Sequence, residues 1–389
     1  MDVGSSLRRL SFVVAGVALP LAAVLTAQGA ERDSAAASTS SWPMFRGNSR
    51  QTGVAGFELP DHLAVRWRFE APGGIVSTAA VVDGAVYVGC DDEHLYALDA
   101  ATGAVRWKYA AKGPIQSSPT VIDGMVLFGD DDGTIHGVRA ATGEGVWTFS
   151  TDGQVFASAN VAGGRAVVGS YDGTLYCLSL SAGRLLWKYS TESRIHASAA
   201  VVDDVVIVAG CDEHVRILSL ADGSLRRAVP MGAVSGVSPA IVGSRAFLAT
   251  YGEQVMCIDW QGGSTLWTFR DEANKAPFLG SPAVSDGWMV IGGRDRRVRA
   301  FDAATGRQRW EFTAPGRMDS SAVISGRRVW IPTSEGILFA LDLETGREVW
   351  RFEAGGSISA SPTIGDGLLI LGTHDGVLYA LGADRSAAP

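Results

Sequence analysis

The side chains that most often perform catalysis are few in this sequence and widely separated. The 389 residues include six histidines and four cysteines. Nucleophilic catalysis requires a serine or cysteine within hydrogen-bond reach of a base, which is usually a histidine. His94 and His214 lie in matching predicted turns far apart in the chain, and no Ser/His/Asp or Cys/His group can be assembled. The sequence therefore predicts no catalytic residues.

Two acidic turns could offer oxygen ligands to calcium. They read Asp91-Asp92-Glu93 and Asp130-Asp131-Asp132. Neither has the spacing of a calcium loop with glycine at its sixth position, and hairpin turns use such residues without any metal. We therefore predict neither a metal nor a cofactor.

The element that must position any functional residue is a repeat. The segment ALDAATGAVRW, Ala97 to Trp107, returns as AFDAATGRQRW, ending at Trp310, and as ALDLETGREVW, ending at Trp350. The final position of this segment also occurs at residues 67, 147, 187, 227 and 267, with arginine only at 227. Six of the seven intervals are 40 residues and one is 43. A period of 40 to 45 residues indicates a repeat architecture.

Each repeat predicts four short strands joined by tight turns. Asp83-Gly84 and Thr102-Gly103 supply the positive-φ positions that short hairpin loops require, and similar pairs recur along the chain. Four antiparallel strands per repeat form a propeller blade. The sequence therefore predicts an all-β, eight-bladed β-propeller of four-stranded antiparallel blades. Val65 to Phe69 precedes the first complete repeat, so we expect this strand to close the ring as the outer strand of the last blade.

The chain divides into five predicted segments. Residues 1–30 resemble a signal peptide, with Arg8-Arg9 before an apolar stretch and small residues after it; an uncleaved anchor is the alternative. Residues 31–41 are rich in Ala and Ser and predict a flexible linker. A lead-in segment at 42–64, the propeller at 65–382 and a disordered tail at 383–389 follow.

Composition narrows the possible partners. The chain is 47% hydrophobic, as expected of a globular protein, and its net charge is −8. Because phosphate binding requires a basic face, this charge argues against nucleic acid as a partner. We predict an exported monomer in the periplasm or cell envelope, or a secreted one, with no membrane-spanning segment beyond the N-terminal signal.

The motif A-x-D-x-x-T-G-x-x-x-W resembles the tryptophan-docking motif of the pyrroloquinoline-quinone (PQQ) repeat propellers. Trp42-Pro43-Met44-Phe45-Arg46-Gly47 is also similar to the start of proteins in this family. The resemblance implies that each motif tryptophan docks between blades, against a glycine-containing segment of the neighbouring blade. The residues given this structural role are Trp67, Trp107, Trp147, Trp187, Trp267, Trp310 and Trp350.

The family includes quinoprotein dehydrogenases, which hold PQQ and Ca²⁺, and a noncatalytic BamB-like branch that scaffolds outer-membrane protein insertion. The dehydrogenases imply adjacent cysteines against the quinone and long insertions over the site, and this sequence has neither. We therefore favour a noncatalytic binding or scaffolding protein whose partner is a protein or an envelope polymer. No cysteine follows the signal for a lipid anchor, which weakens the BamB-like role. A PQQ-dependent dehydrogenase that oxidises alcohols or sugars is the alternative.

The positions where the repeats disagree are the candidates for binding. One such position precedes each inner strand and should lie at one mouth of the ring. The eight residues there are Val76, Gln116, Phe156, His196, Gly236, Leu279, Asp319 and Ser359. We predict that Gln116, Phe156, His196 and Asp319 bind a ligand or partner; the alternative is drift at solvated positions.

A second irregularity is predicted on the same face. The three additional residues fall within Arg270 to Phe278, and arginines replace the acidic turn residues of earlier repeats nearby. We predict that Arg294, Arg296 and Arg297 form a basic sector that orients a partner. A solvated, eroded repeat is the alternative.

Overall fold

The computed structural model describes Met1, residues 40–272 and residues 275–384. The predicted signal peptide at 1–30, most of the linker, and residues 385–389 of the predicted tail lie outside the described residues. Within the described ranges the chain consists of β-strands and turns, with no helix long and apolar enough to cross a membrane. The first two strands are β1 (Val54–Ala55) and β2 (Leu63–Glu70).

Eight antiparallel sheets form the eight blades of a β-propeller, which confirms the predicted fold class. Each blade begins with a short inner strand near the axis. The inner strands of blades 1 to 8 are β3 (Ala80–Val82), β7 (Thr120–Ile122), β11 (Asn160–Ala162), β15 (Ala200–Val202), β19 (Ala240–Val242), β23 (Ala283–Ser285), β27 (Val323–Ser325) and β31 (Thr363–Gly365).

The second and third strands of each blade form the buried middle of the sheet. The second strands are β4 (Ala85–Gly89), β8 (Met125–Gly129), β12 (Arg165–Gly169), β16 (Val205–Ala209), β20 (Arg245–Ala249), β24 (Trp288–Gly292), β28 (Arg328–Pro332) and β32 (Leu368–Gly372). The third strands are β5 (His94–Asp99), β9 (Thr134–Arg139), β13 (Thr174–Ser179), β17 (His214–Ser219), β21 (Gln254–Asp259), β25 (Arg297–Asp302), β29 (Ile337–Asp342) and β33 (Val377–Ala383). Their continuous apolar runs suit strands that are covered on both faces by neighbouring blades.

The outer strands carry the repeated tryptophan position. In blades 1 to 7 they are β6 (Val105–Ala110), β10 (Gly145–Ser150), β14 (Leu185–Ser190), β18 (Leu225–Pro230), β22 (Ser264–Arg270), β26 (Gln308–Thr313) and β30 (Glu348–Glu353). Their exposed residues alternate with partly buried ones, as expected when one face packs inward and the other meets water.

Blade 8 is assembled from the two ends of the propeller. β2 pairs antiparallel with β33, from Leu63 opposite Ala383 to Glu70 opposite Val377. This pairing confirms that the N-terminal strand closes the ring. The strand begins two residues before the predicted Val65, and Ala383 belongs to β33 rather than to the predicted tail.

Six tryptophans join neighbouring blades in one repeated geometry. The Trp67 indole N–H donates to the Ala100 carbonyl of the next blade at 2.8 Å. The ring covers Gly103, where an added Cβ would lie 2.7 Å from the Trp67 Cδ2. The other donors are Trp107, Trp147, Trp187, Trp267 and Trp310. Trp350 faces blade 8, which has no Thr-Gly turn, and packs instead against Trp330 and Phe352.

The joint between blades 4 and 5 uses different residues. Arg227, at the tryptophan position, lies over Gly263 with its side chain exposed. Trp260 occupies the position whose carbonyl accepts the indole hydrogen bond at the other joints. It is buried in an apolar cluster drawn from both blades, and its indole N–H donates to the Gly243 carbonyl at 3.0 Å. At this joint the tryptophan is thus supplied by blade 5 instead of blade 4.

Residues 40–55 pass under the inner strands of all eight blades. They overlap the predicted lead-in segment at 42–64, and from here on we use the name lead-in segment for residues 40–55. Backbone bonds join Trp42 to Val81 of blade 1 and the Gly53 carbonyl to Ile324 of blade 7. Further bonds to residues 40–52 involve Val121, Asn160, Val201, Ile241, Val284 and Asp366. β1 then adds to blade 7 as a fifth, parallel strand beside β27. Ser40, inside the predicted linker, is therefore held against blade 8.

Candidate functional site

All eight of the divergent mouth residues line one cavity on the propeller axis, which we call the cup. Its volume is about 220 Å³. Residues alternate in direction along an extended chain, so the residue two positions after each mouth residue also faces the axis. The cup is lined by the eight mouth residues, by a serine or threonine from each blade and by Phe45.

The serine and threonine residues form a closed ring of hydrogen bonds, which we call the hydroxyl ring. In each blade the backbone N–H donates to the hydroxyl oxygen of the next blade, at 2.9 to 3.1 Å. The last donor, Ser361, returns to Thr78 of blade 1. The members are Thr78, Ser118, Ser158, Ser198, Ser238, Ser281, Ser321 and Ser361.

The floor of the cup is the lead-in segment. Phe45 faces the cavity, and the neighbouring Arg46 is 1% exposed. The Arg46 guanidinium donates to the Ala322 carbonyl at 2.6 Å and to the Pro282 carbonyl at 2.8 Å. Burial lowers the pKa of Arg46 to about 9. The segment is thus fixed to two blades from inside, and the cup is closed at this end.

One side of the mouth is aromatic. The Phe156 and Tyr171 rings meet edge to face with centroids 4.6 Å apart. The Tyr171 hydroxyl and the His196 Nδ1 share a 2.7 Å hydrogen bond. Water can reach the His196 side chain inside the cup, but protein surrounds it, and this desolvation lowers the pKa of His196 below its usual value. His196 is therefore neutral at pH 7.

Tyr171 and Tyr251 belong to a second ring of side chains just outside the mouth. In every blade this ring takes the second residue after the second strand. Its members are Asp91, Asp131, Tyr171, Cys211, Tyr251, Arg294, Ser334 and His374. Desolvation raises the pKa of Tyr251 to about 12, so its hydroxyl keeps its proton at neutral pH.

Asp319 and Arg294 form a two-pronged ion pair between blades 7 and 6. The Arg294 Nε and Nη2 atoms donate to the two Asp319 oxygens at 2.7 and 2.9 Å. The hydrogen bonds that Arg294 donates to Asp319 raise the pKa of Arg294. The carboxylate that faces the cup is therefore neutralised from behind and fixed in orientation.

Next to the aromatic side, blades 1 and 2 place two carboxyl groups behind an amide at the mouth. Gln116 lines the cup and lies beside the Asp91 carboxylate. Asp131 of the next blade lies close enough for its charge to interact with that of Asp91. Burial, followed by the charges of Asp91 and Asp130, raises the pKa of Asp131 to about 6. Neither Asp91 nor Asp131 lines the cavity.

The structure brings five of the seven predicted binding residues together at the mouth: Gln116, Phe156, His196, Asp319 and Arg294. Arg297 lies outside the cup and pairs with Asp271 at 3.4 Å and Glu311 at 3.3 Å. Arg296 is exposed at the turn, with a φ of 66°. Because Arg294 and Arg297 both meet carboxylates, the predicted basic sector is largely balanced in charge.

The sequence interpretation missed the hydroxyl ring, the second ring of side chains just outside the mouth, and Phe45. Comparing each repeat position in turn would have revealed the first two, because each is a single column of the repeat. Phe45 lies in the non-repeating lead-in, so no periodicity marks it. Within the described residues no three His, Cys, Asp or Glu side chains come close enough to hold a metal ion.

Comparison with known sequences identifies the family. A family of PQQ-like repeats described as outer membrane protein assembly factor BamB matches residues 60–160, 131–227, 226–338 and 314–387. The chain belongs to this family. No curated protein matches the chain significantly in sequence.

Three solved structures illustrate the range of proteins that share the fold. BamB from Moraxella catarrhalis is 18% identical, with 83% of this chain and 100% of that chain covered and a TM-score of 0.72. A computationally designed protein, Ika8, is 16% identical, with 85% and 99% covered and a TM-score of 0.71. Quinohemoprotein alcohol dehydrogenase from Comamonas testosteroni is 13% identical, with 89% and 81% covered and a TM-score of 0.77. Identities this low support the fold alone, because one fold can carry unrelated functions.

Proposed function

We propose that this chain is a noncatalytic, exported propeller that binds or scaffolds a protein or envelope polymer, and that it acts in the periplasm or cell envelope. Assembly of outer-membrane proteins in the manner of BamB is the nearest named role. The observation that carries the proposal is the concentration of divergent side chains at the mouth of the cup. The scaffold around them repeats closely, so binding residues are held on rigid strands.

The protonation states at the mouth favour binding over acid–base catalysis. A general acid or base works best with a pKa near the ambient pH and with access to the reacting atom. His196 has a lowered pKa and shares a hydrogen bond with Tyr171, and both Asp319 oxygens accept from Arg294. Asp131, whose pKa is about 6, does not line the cavity. The groups that could transfer a proton are thus either hydrogen-bonded to other side chains or located outside the cup.

A PQQ-dependent dehydrogenase is the second candidate, because quinohemoprotein alcohol dehydrogenase shares the fold of this chain with a TM-score of 0.77. PQQ carries three carboxylates, so a matching site needs cationic side chains or a metal ion. Among the described residues no lysine or arginine lines the cup, and the one arginine next to it, Arg294, is already paired with Asp319. The cup therefore offers no net positive charge to the carboxylates of PQQ. The residues present do not fit PQQ.

The two candidates separate when the purified full chain is mixed with PQQ and Ca²⁺. We expect no quinone absorbance to remain with the protein after gel filtration and no dye reduction with alcohols or sugars. A quinoprotein dehydrogenase stripped of its cofactor and treated in the same way is the positive control. Retained quinone together with turnover would overturn the noncatalytic assignment.

A capture experiment tests the binding face. The wild type and a variant with alanine at Gln116, Phe156, His196 and Asp319 are crosslinked to envelope fractions. A matched control replaces Arg347 and Glu348 on the outer wall of blade 7. We expect the mouth variant to lose a crosslinked species that the control keeps. Identical crosslinks from all three proteins would exclude the mouth as the binding face.

A further inference from the structure

We propose that the cup binds one uncharged sugar unit, either as a free monosaccharide or as a terminal residue of an envelope polysaccharide. The proposal rests on the noncatalytic binding role above and names the class of ligand. It is carried by four properties of the cup: the absence of net charge, the hydroxyl ring, the aromatic faces and the size.

The lining of the cup is electrically neutral. Of its 17 lining residues only Asp319 carries a formal charge, and Arg294 balances that charge through two hydrogen bonds. His196 is neutral because desolvation lowers its pKa. An ion entering the cup would lose its hydration without meeting an opposite charge. The lining therefore selects an uncharged ligand.

The hydroxyl ring offers hydrogen bonds of both kinds to a ligand on the axis. Each ring hydroxyl is buried, with a residue exposure of 4 to 6%. Each oxygen accepts one backbone N–H, and within the described residues no hydroxyl hydrogen of the ring donates to a protein acceptor. A hydroxyl has one donor and two acceptor sites, so each retains a donor and a lone pair. Ligand hydroxyl groups, which also donate and accept, match this wall.

Aromatic and apolar surfaces complete the site. Phe45 closes the floor, Phe156 lines the aromatic side of the mouth, and Val76 and Leu279 line the wall. A sugar ring presents C–H groups on its faces and hydroxyl groups around its edge. The apolar surfaces can contact the faces, while Gln116 and the hydroxyl ring reach the edge. An inorganic ion or a small alcohol would use only one of these features.

The volume sets the length of the ligand. Sites for drug-sized ligands usually enclose about 300–1,000 Å³, whereas the cup encloses about 220 Å³. The cup therefore has room for one sugar ring, and a second unit would extend out of the mouth. The mouth opens beside Tyr171 and Tyr251, whose rings could contact that second unit.

Binding is measured with the purified full chain by saturation-transfer NMR and calorimetry. Glucose, galactose and N-acetylglucosamine are the uncharged probes, and glucosamine and glucuronate are the charged counterparts. We expect at least one uncharged sugar to bind and both charged sugars to bind more weakly. Preferential binding of glucosamine would instead indicate a cationic ligand beside Asp91 and Asp131, and would overturn the proposal.

Matched variants locate the site. Gln116→Met removes hydrogen bonds from the cup wall, and Phe156→Ala removes an apolar face; Gln308→Met makes the first change on the exposed outer strand of blade 6. We expect each cup variant to weaken sugar binding about tenfold, since a lost hydrogen bond or apolar contact of this kind is worth about 1–2 kcal/mol. Gln308→Met should bind as the wild type does. Equal affinity in all three variants, or no binding of any uncharged sugar, would overturn the proposal.

Two further comparisons are needed: one between a free sugar and a polymer-linked sugar as the ligand, and one between failure of the sugar proposal and failure of the proposed binding role. Sedimentation with insoluble envelope polysaccharide, with and without competing monosaccharide, distinguishes a terminal sugar from a free one. Failure of every sugar to bind, with mouth-dependent crosslinks intact, would reject this inference and leave the binding role standing. Retained PQQ with turnover would instead reject the binding role itself.

Discussion

At the scale of single residues, the propeller depends on a contact between an indole ring and a glycine. The Trp310 ring covers Gly346 of the next blade, and its N–H donates to the Leu343 carbonyl at 2.7 Å. Any Cβ at Gly346 would lie 2.6 Å from the Trp310 Cδ2. The glycine is needed for this close approach as well as for its φ of +70°.

Gly346→Ala should separate these two requirements from each other. Gly124 has a similar φ of +73° with nothing within 4 Å of an added Cβ, so Gly124→Ala measures the backbone strain alone. We expect Gly124→Ala to cost about 1 kcal/mol of unfolding free energy and Gly346→Ala about 1–3 kcal/mol more because it displaces the indole. Chemical denaturation of both variants gives the comparison; equal losses would show that the indole contact contributes little.

Asp131 makes stability depend on pH in a direction opposite to that of most carboxylates. Its folded pKa of about 6 lies above the unfolded value, so the folded state holds its proton more tightly. The destabilisation is absent below about pH 4, grows as the pH rises to 6 and is complete above that. Asp131→Asn should therefore raise the unfolding free energy by about 1–2 kcal/mol at pH 7.5 and leave it unchanged at pH 4. The exposed neighbour Asp132 provides the control, and Asp132→Asn should change little at either pH.

At the scale of elements, the joint between blades 4 and 5 uses a tryptophan from the following blade, whereas the other tryptophan joints use one from the preceding blade. Trp260 packs between the two apolar sheets at this joint, where blade 4 supplies no indole. Arg227 covers only Gly263. We therefore expect the two differences from the repeat, Arg227 and Trp260, to compensate each other in stability.

A double-mutant cycle measures this compensation. Trp260→Leu alone should lose about 2–4 kcal/mol through the cavity it leaves, and Arg227→Trp alone should bring no stabilisation because Trp260 already fills the joint. Together they recreate the pattern of the other joints and should recover about 1–3 kcal/mol relative to the sum of the single changes. Thermal and denaturant unfolding provide the values. Additive effects would show that the two residues act independently.

The lead-in segment is held by its backbone and by Arg46, whose burial should make it costly to remove. Arg46→Ala leaves two carbonyl oxygens without donors and opens a cavity beneath blades 6 and 7, so we expect a loss of about 2–5 kcal/mol. The neighbouring Arg50 is exposed and uses only its carbonyl, which accepts from Ile241 at 2.9 Å. Arg50→Ala should therefore be nearly neutral. Similar melting temperatures for the two variants would contradict the anchoring role of Arg46.

The strands and the lead-in differ in how much the sequence reveals about them. Turn pairs such as Asp123-Gly124 and the recurring tryptophan mark the blades, because each carries its own local physical requirement. The path of residues 40–55 has no such marker, since most of its bonds are made by backbone groups that any residue supplies. The side-chain bonds of Arg46 and Gln51 lie outside the repeat, so no periodicity marks them either. The mouth positions could be found from disagreement between repeats, but Phe45 could not. Which mouth residues meet each other, such as Arg294 and Asp319, depends on the distance between blades rather than on any local pattern.

At the scale of the whole molecule, two separate parts of the N-terminal region do different work. Residues 40–55 close the floor of the cup, and β2 completes blade 8 by pairing with β33. An unpaired β33 would expose a strand edge at which other chains could add. Closure of the ring and closure of the cup are therefore separable.

Two truncations test that separation. A chain beginning at residue 63 keeps β2 and should be monomeric, with a lower melting temperature and a cup open at both ends. A chain beginning at residue 71 also lacks β2 and should associate through the exposed edge of β33. Size-exclusion chromatography with light scattering distinguishes the two outcomes. Equal association by both chains would show that the lead-in, rather than β2, prevents it.

The hydroxyl ring runs in one direction only: every N–H gives to the following blade and none to the preceding one. The ring is continuous, because the last N–H, that of Ser361, donates to the hydroxyl of Thr78 in the first blade. An alanine at any of the eight positions would leave a buried N–H of the preceding blade without an acceptor, so each position needs the hydroxyl of a serine or threonine. The mouth residues, two positions earlier in each repeat, belong to no repeated hydrogen-bond ring. Each blade therefore places a hydroxyl-ring residue, whose type is restricted, two positions after a mouth residue, whose type can vary. Ligand preference can change through the mouth residues without disturbing the hydroxyl ring.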